Sequence, residues 1–81
     1  MAFTAVVNVM LKDGIADPQG QTIEKALPAL GFDGVAEVRV GKRIRLEVDA
    51  PDAADARSKV EEMCKALLAN PVIESFEVEV G

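Results

Sequence analysis

At 81 residues with a formal net charge of −5, the chain is one small domain (1–81), near the size at which a lone core yields only ~3 to 5 kcal/mol, so burial between subunits is the expected supplement. The acidic balance repels phosphate backbones and anionic membranes, and three Phe with neither Trp nor Tyr offer no platform for stacking bases, so neither nucleic acid nor membrane is an expected partner. The absence of His removes the usual general base and the common zinc ligand.

From Phe3 to Leu11 the odd positions are apolar, which predicts a strand with Phe3, Ala5, Val7, Val9 and Leu11 on one face. The other face, Thr4, Val6, Asn8, Met10 and Lys12, is itself half apolar, so a cover for it is also expected. Asp17 is an N-cap with Pro18 at the first helical position, and Ile23, Ala26, Leu27 and Leu30 form the inward stripe of a first helix that Gly31 ends. Pro28 lies too deep for the first turn and predicts a kink or a tight final turn.

Ala36, Val38 and Val40, then Ile44, Leu46 and Val48, alternate with charged residues on either side of Gly41-Lys42, which predicts a hairpin. A two-residue loop would put the two apolar sets on opposite faces, so a three-residue connection or a bulge is the better fit. Asp52 caps a second helix with Asp55 three residues on, and its inward stripe is Ala56, Val60, Met63, Cys64, Leu67 and Leu68. Asn70 suits the left-handed position after that helix, Pro71 stops it, and a last strand follows from about Val72 to Val80.

The predicted order is βαββαβ. One apolar face per strand and one stripe per helix give an α+β, ferredoxin-like two-layer sandwich, with a four-stranded antiparallel sheet and two helices on one face. The strands are short, so the two halves could also separate and complete their packing in a dimer through edge-strand pairing.

Chemistry is nearly absent. Cys64 lacks a second thiol and reads as a buried, reduced side chain, which points to the cytoplasm. The carboxylate pairs Asp13 with Asp17 and Glu61 with Glu62 read as solvated surface groups. Gly14, Gly20 and Gly41 match no phosphate loop. Arg39, Lys42, Arg43 and Arg45 hold four of the nine basic residues; they read first as a solvated hairpin edge, and in a sharper reading as an edge that complements either Glu74, Glu77 and Glu79 or an acidic partner surface, setting register more than affinity.

Five segments in order resemble one family: Lys12-Asp13-Gly14-Ile15-Ala16-Asp17-Pro18-Gln19-Gly20, Ala26-Leu27 with Leu30-Gly31-Phe32, Val38-Arg39-Val40-Gly41-Lys42, Cys64, and Leu68-Ala69-Asn70-Pro71-Val72-Ile73-Glu74. That family is PurS, the small subunit of phosphoribosylformylglycinamidine (FGAM) synthase. The resemblance implies a homodimer or higher homo-oligomer with no catalytic residues and no cofactor of its own, bridging a glutaminase subunit and a large synthetase subunit that use glutamine, ATP and Mg. It further implies partner contacts among Asp17, Gln19, Gly20, Arg39, Lys42, Asn70 and Glu74. The rival reading is a regulatory domain of similar topology that binds a small molecule near Gly14.

Overall fold

The period-two run at the N-terminus forms β1, Ala2–Leu11, and in the computed structural model, which describes all residues from Met1 to Gly81, it becomes the central strand. It pairs antiparallel with β2, Gly41–Asp49, on one side and with β3, Glu74–Val80, on the other. One helix, α2, Ala53–Met63, closes one face of this sheet. Ala5, Val7 and Val9 of β1 lie beneath Ala56 and Val60 of α2 and Cys64 just after it, all fully or almost fully buried. Phe3, Ile44, Leu46, Phe76, Val78 and Val80 pack around them.

The sheet has three strands, not the four expected, and the first helix does not share its face with α2. The predicted hairpin does not form. Gly41 stands opposite Met10 inside the β1–β2 ladder, and its φ is not positive. A Cβ there would strike the Met10 sulfur and the Val9 carbonyl oxygen, so glycine serves close packing and not a turn. The alternation 36, 38, 40, 44, 46, 48 keeps one phase straight through Gly41-Lys42. A chain that runs on satisfies that phase as well as a folded-back one, and here Val40 leads directly into β2 without a turn.

Helix α1, Pro18–Ala26, therefore departs from the sheet as an arm. It is continued by a 3₁₀ turn at Pro28–Leu30 and closed by Gly31 at φ 93°, the tight final turn that Pro28 demanded. Residues 35–40, outside any strand, return along it. The molecule measures 51 × 25 × 15 Å with a radius of gyration of 16.3 Å, against about 12 Å for a compact chain of this length.

Asp52 caps α2 as expected, accepting from the Asp55 N–H at 2.8 Å. The helix ends in a π turn, Cys64–Leu68. The wider turn rotates the last residues, so that Ala69 is buried while Leu67, expected inside, is exposed; Met63, also expected inside, is exposed at the end of the regular helix before the turn. Asn70 does not occupy the left-handed region; only Glu37 among the non-glycine residues does, at φ 57°. Asn70 instead forms a side-chain turn, its Oδ1 accepting from the Val72 N–H at 3.1 Å. No helix is long and apolar enough to cross a membrane.

Candidate functional site

Asp17, just before α1, is the only buried charged side chain, 5% exposed. Its Oδ1 accepts from the Gly20 N–H at 2.9 Å, the cap expected from sequence, and its Oδ2 accepts from the Val40 N–H at 2.7 Å. One carboxylate thus ties the start of the arm to its returning strand. The N–H groups of Val40 and then Gly20 hold the carboxyl below its ordinary value of 3.8, against desolvation, with Arg39 helping. Further along, Glu24 Oε1 accepts from the Val38 N–H at 3.0 Å. Gly20 is buried against this strand, where a Cβ would run into the Val38 carbonyl oxygen.

Arg39 faces the opposite way and gathers the loop after β1. Its guanidinium donates to the carbonyls of Leu11 (3.3 Å), Lys12 (3.1 Å) and Ile15 (3.2 Å). Lys12 Nζ in turn donates to the Pro71 carbonyl at 2.7 Å. Asn70 and Glu74 fasten one another, the Asn70 N–H donating to Glu74 Oε1 at 2.7 Å and the Glu74 N–H to the Asn70 carbonyl at 2.7 Å. Five of the seven residues singled out in the sequence, Asp17, Gly20, Arg39, Asn70 and Glu74, thus have bonding or packing roles within the chain. The side chains of Gln19 and Lys42 make no hydrogen bond.

The structure brings Asp17, Gln19, Lys42 and Glu74 together around an open cleft of about 320 Å³ between the α1 N-terminus and the end of the sheet, floored by Val9, Leu11 and Val40. Lys42 sits opposite Val9 and Glu74 opposite Leu11, on the face α2 covers elsewhere. Gly20, Arg39 and Asn70 do not line it. The cleft holds one cation and two carboxylates, and no cluster of His, Cys, Asp and Glu is arranged to hold a metal. Sequence reasoning missed Glu24 and Lys12. Their partners Val38 and Pro71 are 14 and 59 residues away, and no local pattern marks them.

Cys64 is fully buried and unpaired. Burial first, and then the Glu61 carboxylate, push its thiol up, the reverse of what a nucleophile requires.

Residues 4–81 match the family model for PurS, phosphoribosylformylglycinamidine (FGAM) synthase. The chain belongs to the PurS family. Its relatives include the FGAM synthase subunit PurS of Methanocaldococcus jannaschii, 44% identical over 96% of this chain and 94% of that protein. The PurS subunit of Mycobacterium leprae is 49% identical over 91% and 90%. The fold superposes on a chain of the Thermotoga maritima PurLQS structure with a TM-score of 0.90 at 36% identity, covering 100% of this chain and 99% of that one. As a PurS-family member, the chain is a subunit of FGAM synthase, in purine biosynthesis.

Proposed function

We propose that the chain is the non-catalytic bridging subunit of the cytoplasmic FGAM synthase complex: a homodimer that holds the glutaminase and synthetase subunits together and supports ammonia transfer between them. The observation that carries this reading is the full-length likeness to a chain of the T. maritima PurLQS structure. The inventory of side chains agrees with it. The one buried carboxylate is spent on two backbone N–H groups, and the one thiol is sealed under the sheet. ATP, Mg and glutamine are the business of the partner subunits in this reading.

Ammonia released into neutral water is largely protonated and lost as a nucleophile, so a spacer that keeps two active sites together needs shape more than chemistry. The arm supplies a surface for it. Ile23 (42% exposed), Leu30 (71%) and Phe32 (58%) put apolar area into water far from the sheet, an arrangement that marks a protein contact. The arm faces the large subunits, with Gln19 and Lys42 at its root as the unengaged polar contacts. The regulatory-domain alternative is disfavoured by the loop near Gly14, whose carbonyls at Lys12 and Ile15 are already taken by Arg39.

The test is the rate of formylglycinamide ribonucleotide amidation by the synthetase and glutaminase subunits with and without this chain. Strong dependence on the chain with glutamine, and weak dependence with ammonium salt, is the expected result. Equal glutamine-driven rates would overturn the bridging role.

A further inference from the structure

On the face that α2 covers, the inward column of β2 reads Val48, Leu46, Ile44 and then Lys42, and that of β3 reads Val80, Val78, Phe76 and then Glu74. Both columns turn from apolar to charged at the same end of the sheet, with opposite sign, on either side of Val9 and Leu11 of β1. Solvating the open end of a core asks only for polar residues and sets no sign. Nor do the two charges neutralise one another. Neither belongs to an ion pair, and their Cα atoms are about 12 Å apart, two strand spacings of ~4.8 Å across and two residues of ~3.4 Å along.

Both poles keep free bonding capacity. The lysine hydrogen bonds of the chain come from Lys12 and Lys59, which leaves Lys42 unengaged. Glu74 spends only Oε1, on the Asn70 N–H, whereas Asp17, the other carboxylate of the cleft, spends both oxygens on Gly20 and Val40. Between the poles the floor is apolar, and the start of α1 stands over it with Pro18 and Gln19. The volume of about 320 Å³ is at the low end of the ~300 to 1,000 Å³ of ligand clefts, which suits a small molecule.

We propose that this cleft binds a free α-amino acid with an uncharged side chain, its carboxylate on Lys42, its ammonium on the open oxygen of Glu74 and its side chain over Val9, Leu11 and Val40. The charge count selects this class. A phosphate or a dicarboxylate brings a second negative charge against Glu74 and Asp17, and a polyamine meets Lys42 with nothing to neutralise the lysine. A zwitterion satisfies both poles at once. Its own charges are about 3 Å apart, so with a hydrogen bond of about 2.8 Å at each end the span from Nζ to Oε is roughly 8 Å, within reach of two side chains that extend toward each other from these Cα positions. Lys42 is exposed and Glu74 half-buried, so each contact is partly screened and a Kd on the order of 1 mM is expected.

Occupancy has a mechanical consequence. Lys42 and Glu74 belong to the sheet, whereas Pro18, Gln19 and Val40 belong to the arm. A ligand that touches both spans the joint and stiffens the root of the arm.

The site goes beyond the bridging role and does not depend on it, and a ¹H–¹⁵N NMR titration of the full chain alone tests it, with L-leucine, L-methionine and L-glutamine as probes up to about 20 mM. Saturable shifts centred on the amides around the cleft are expected with at least one of the three. N-acetylation removes the ammonium and methyl esterification the carboxylate; each blocked form should bind at least about fivefold more weakly, as should the free amino acid to K42Q and to E74Q. E74Q keeps an oxygen for the Asn70 N–H, so its circular dichroism should match wild type. With the amino acid bound, amide exchange across residues 18–40 should slow at least about twofold. Absence of saturable shifts with all three probes would overturn the site. Blocked forms or variants that bind as tightly as the free amino acid and wild type would overturn the two-pole recognition, and unchanged exchange on binding would overturn the stiffening.

Discussion

In the sheet body, Val7, Val9, Val60 and Cys64 lose essentially all their contact with water; in the arm, Asp17 and Gly20 alone are buried, and the apolar residues point outward. The body is held by non-directional burial, which tolerates change at any one polar atom. The arm is held by a few directed bonds, from Asp17 and Glu24 to the backbone N–H groups of Val40, Gly20 and Val38, together with one close approach at Gly20. Similar residue types thus yield a self-sufficient core in one place and a presented surface in the other. The deciding factor is whether the chain folds back at Gly41 or runs straight on.

The largest effect should come from the body. Val60→Ala opens a cavity under the sheet and should cost about 2 kcal/mol of global stability by urea unfolding. A much smaller loss would mean that α2 contributes less to the core than its burial indicates.

Gly20→Ala should break the comparison from the other side. Its methyl forces α1 off the strand at Val38, so amide exchange across residues 18–40 should accelerate severalfold while β1 and β3 stay protected. A uniform rise over the whole chain would show that arm and body unfold as one unit.

Asp17 sharpens the distinction through pH. Its folded pKa lies below the ordinary value of 3.8, so its stabilising contribution is fully present above that value and is lost as pH falls through the depressed folded one. Arm protection should therefore drop selectively in acid. Asp17→Asn should reproduce the loss at neutral pH, because one amide oxygen cannot accept from both N–H groups where two carboxylate oxygens did.

The smallest effect is expected at Phe32→Ser. It should change the stability of the isolated chain by less than about 0.5 kcal/mol, the range of exposed substitutions, while lowering glutamine-driven synthesis in the reconstituted complex. A drop in stability with unchanged synthesis would assign the arm's apolar side to the chain itself.

Much was legible without coordinates. Period-two runs marked β1, β2 and β3, Asp17 and Asp52 marked both helix starts, Pro28 and Gly31 marked the close of the first helix, and five short segments in order carried the family. These signals are local, written in steric and hydrogen-bonding preferences that act within a few residues. Tertiary structure alone decided three things. It made Gly41 a point of close packing instead of a turn, because only the strand alongside, with Val9 and Met10, brings atoms near enough to exclude a Cβ. It widened the end of α2 into a π turn that exchanged Leu67 for Ala69. It also tied Asp17 to the Val40 N–H and Arg39 to the Leu11 carbonyl, partners 23 and 28 residues away along the chain that no local pattern announces. The apolar alternation on either side of Gly41 fixes a phase and not a direction, so a straight strand and a folded one share it, and the choice falls to contacts between segments distant in the chain.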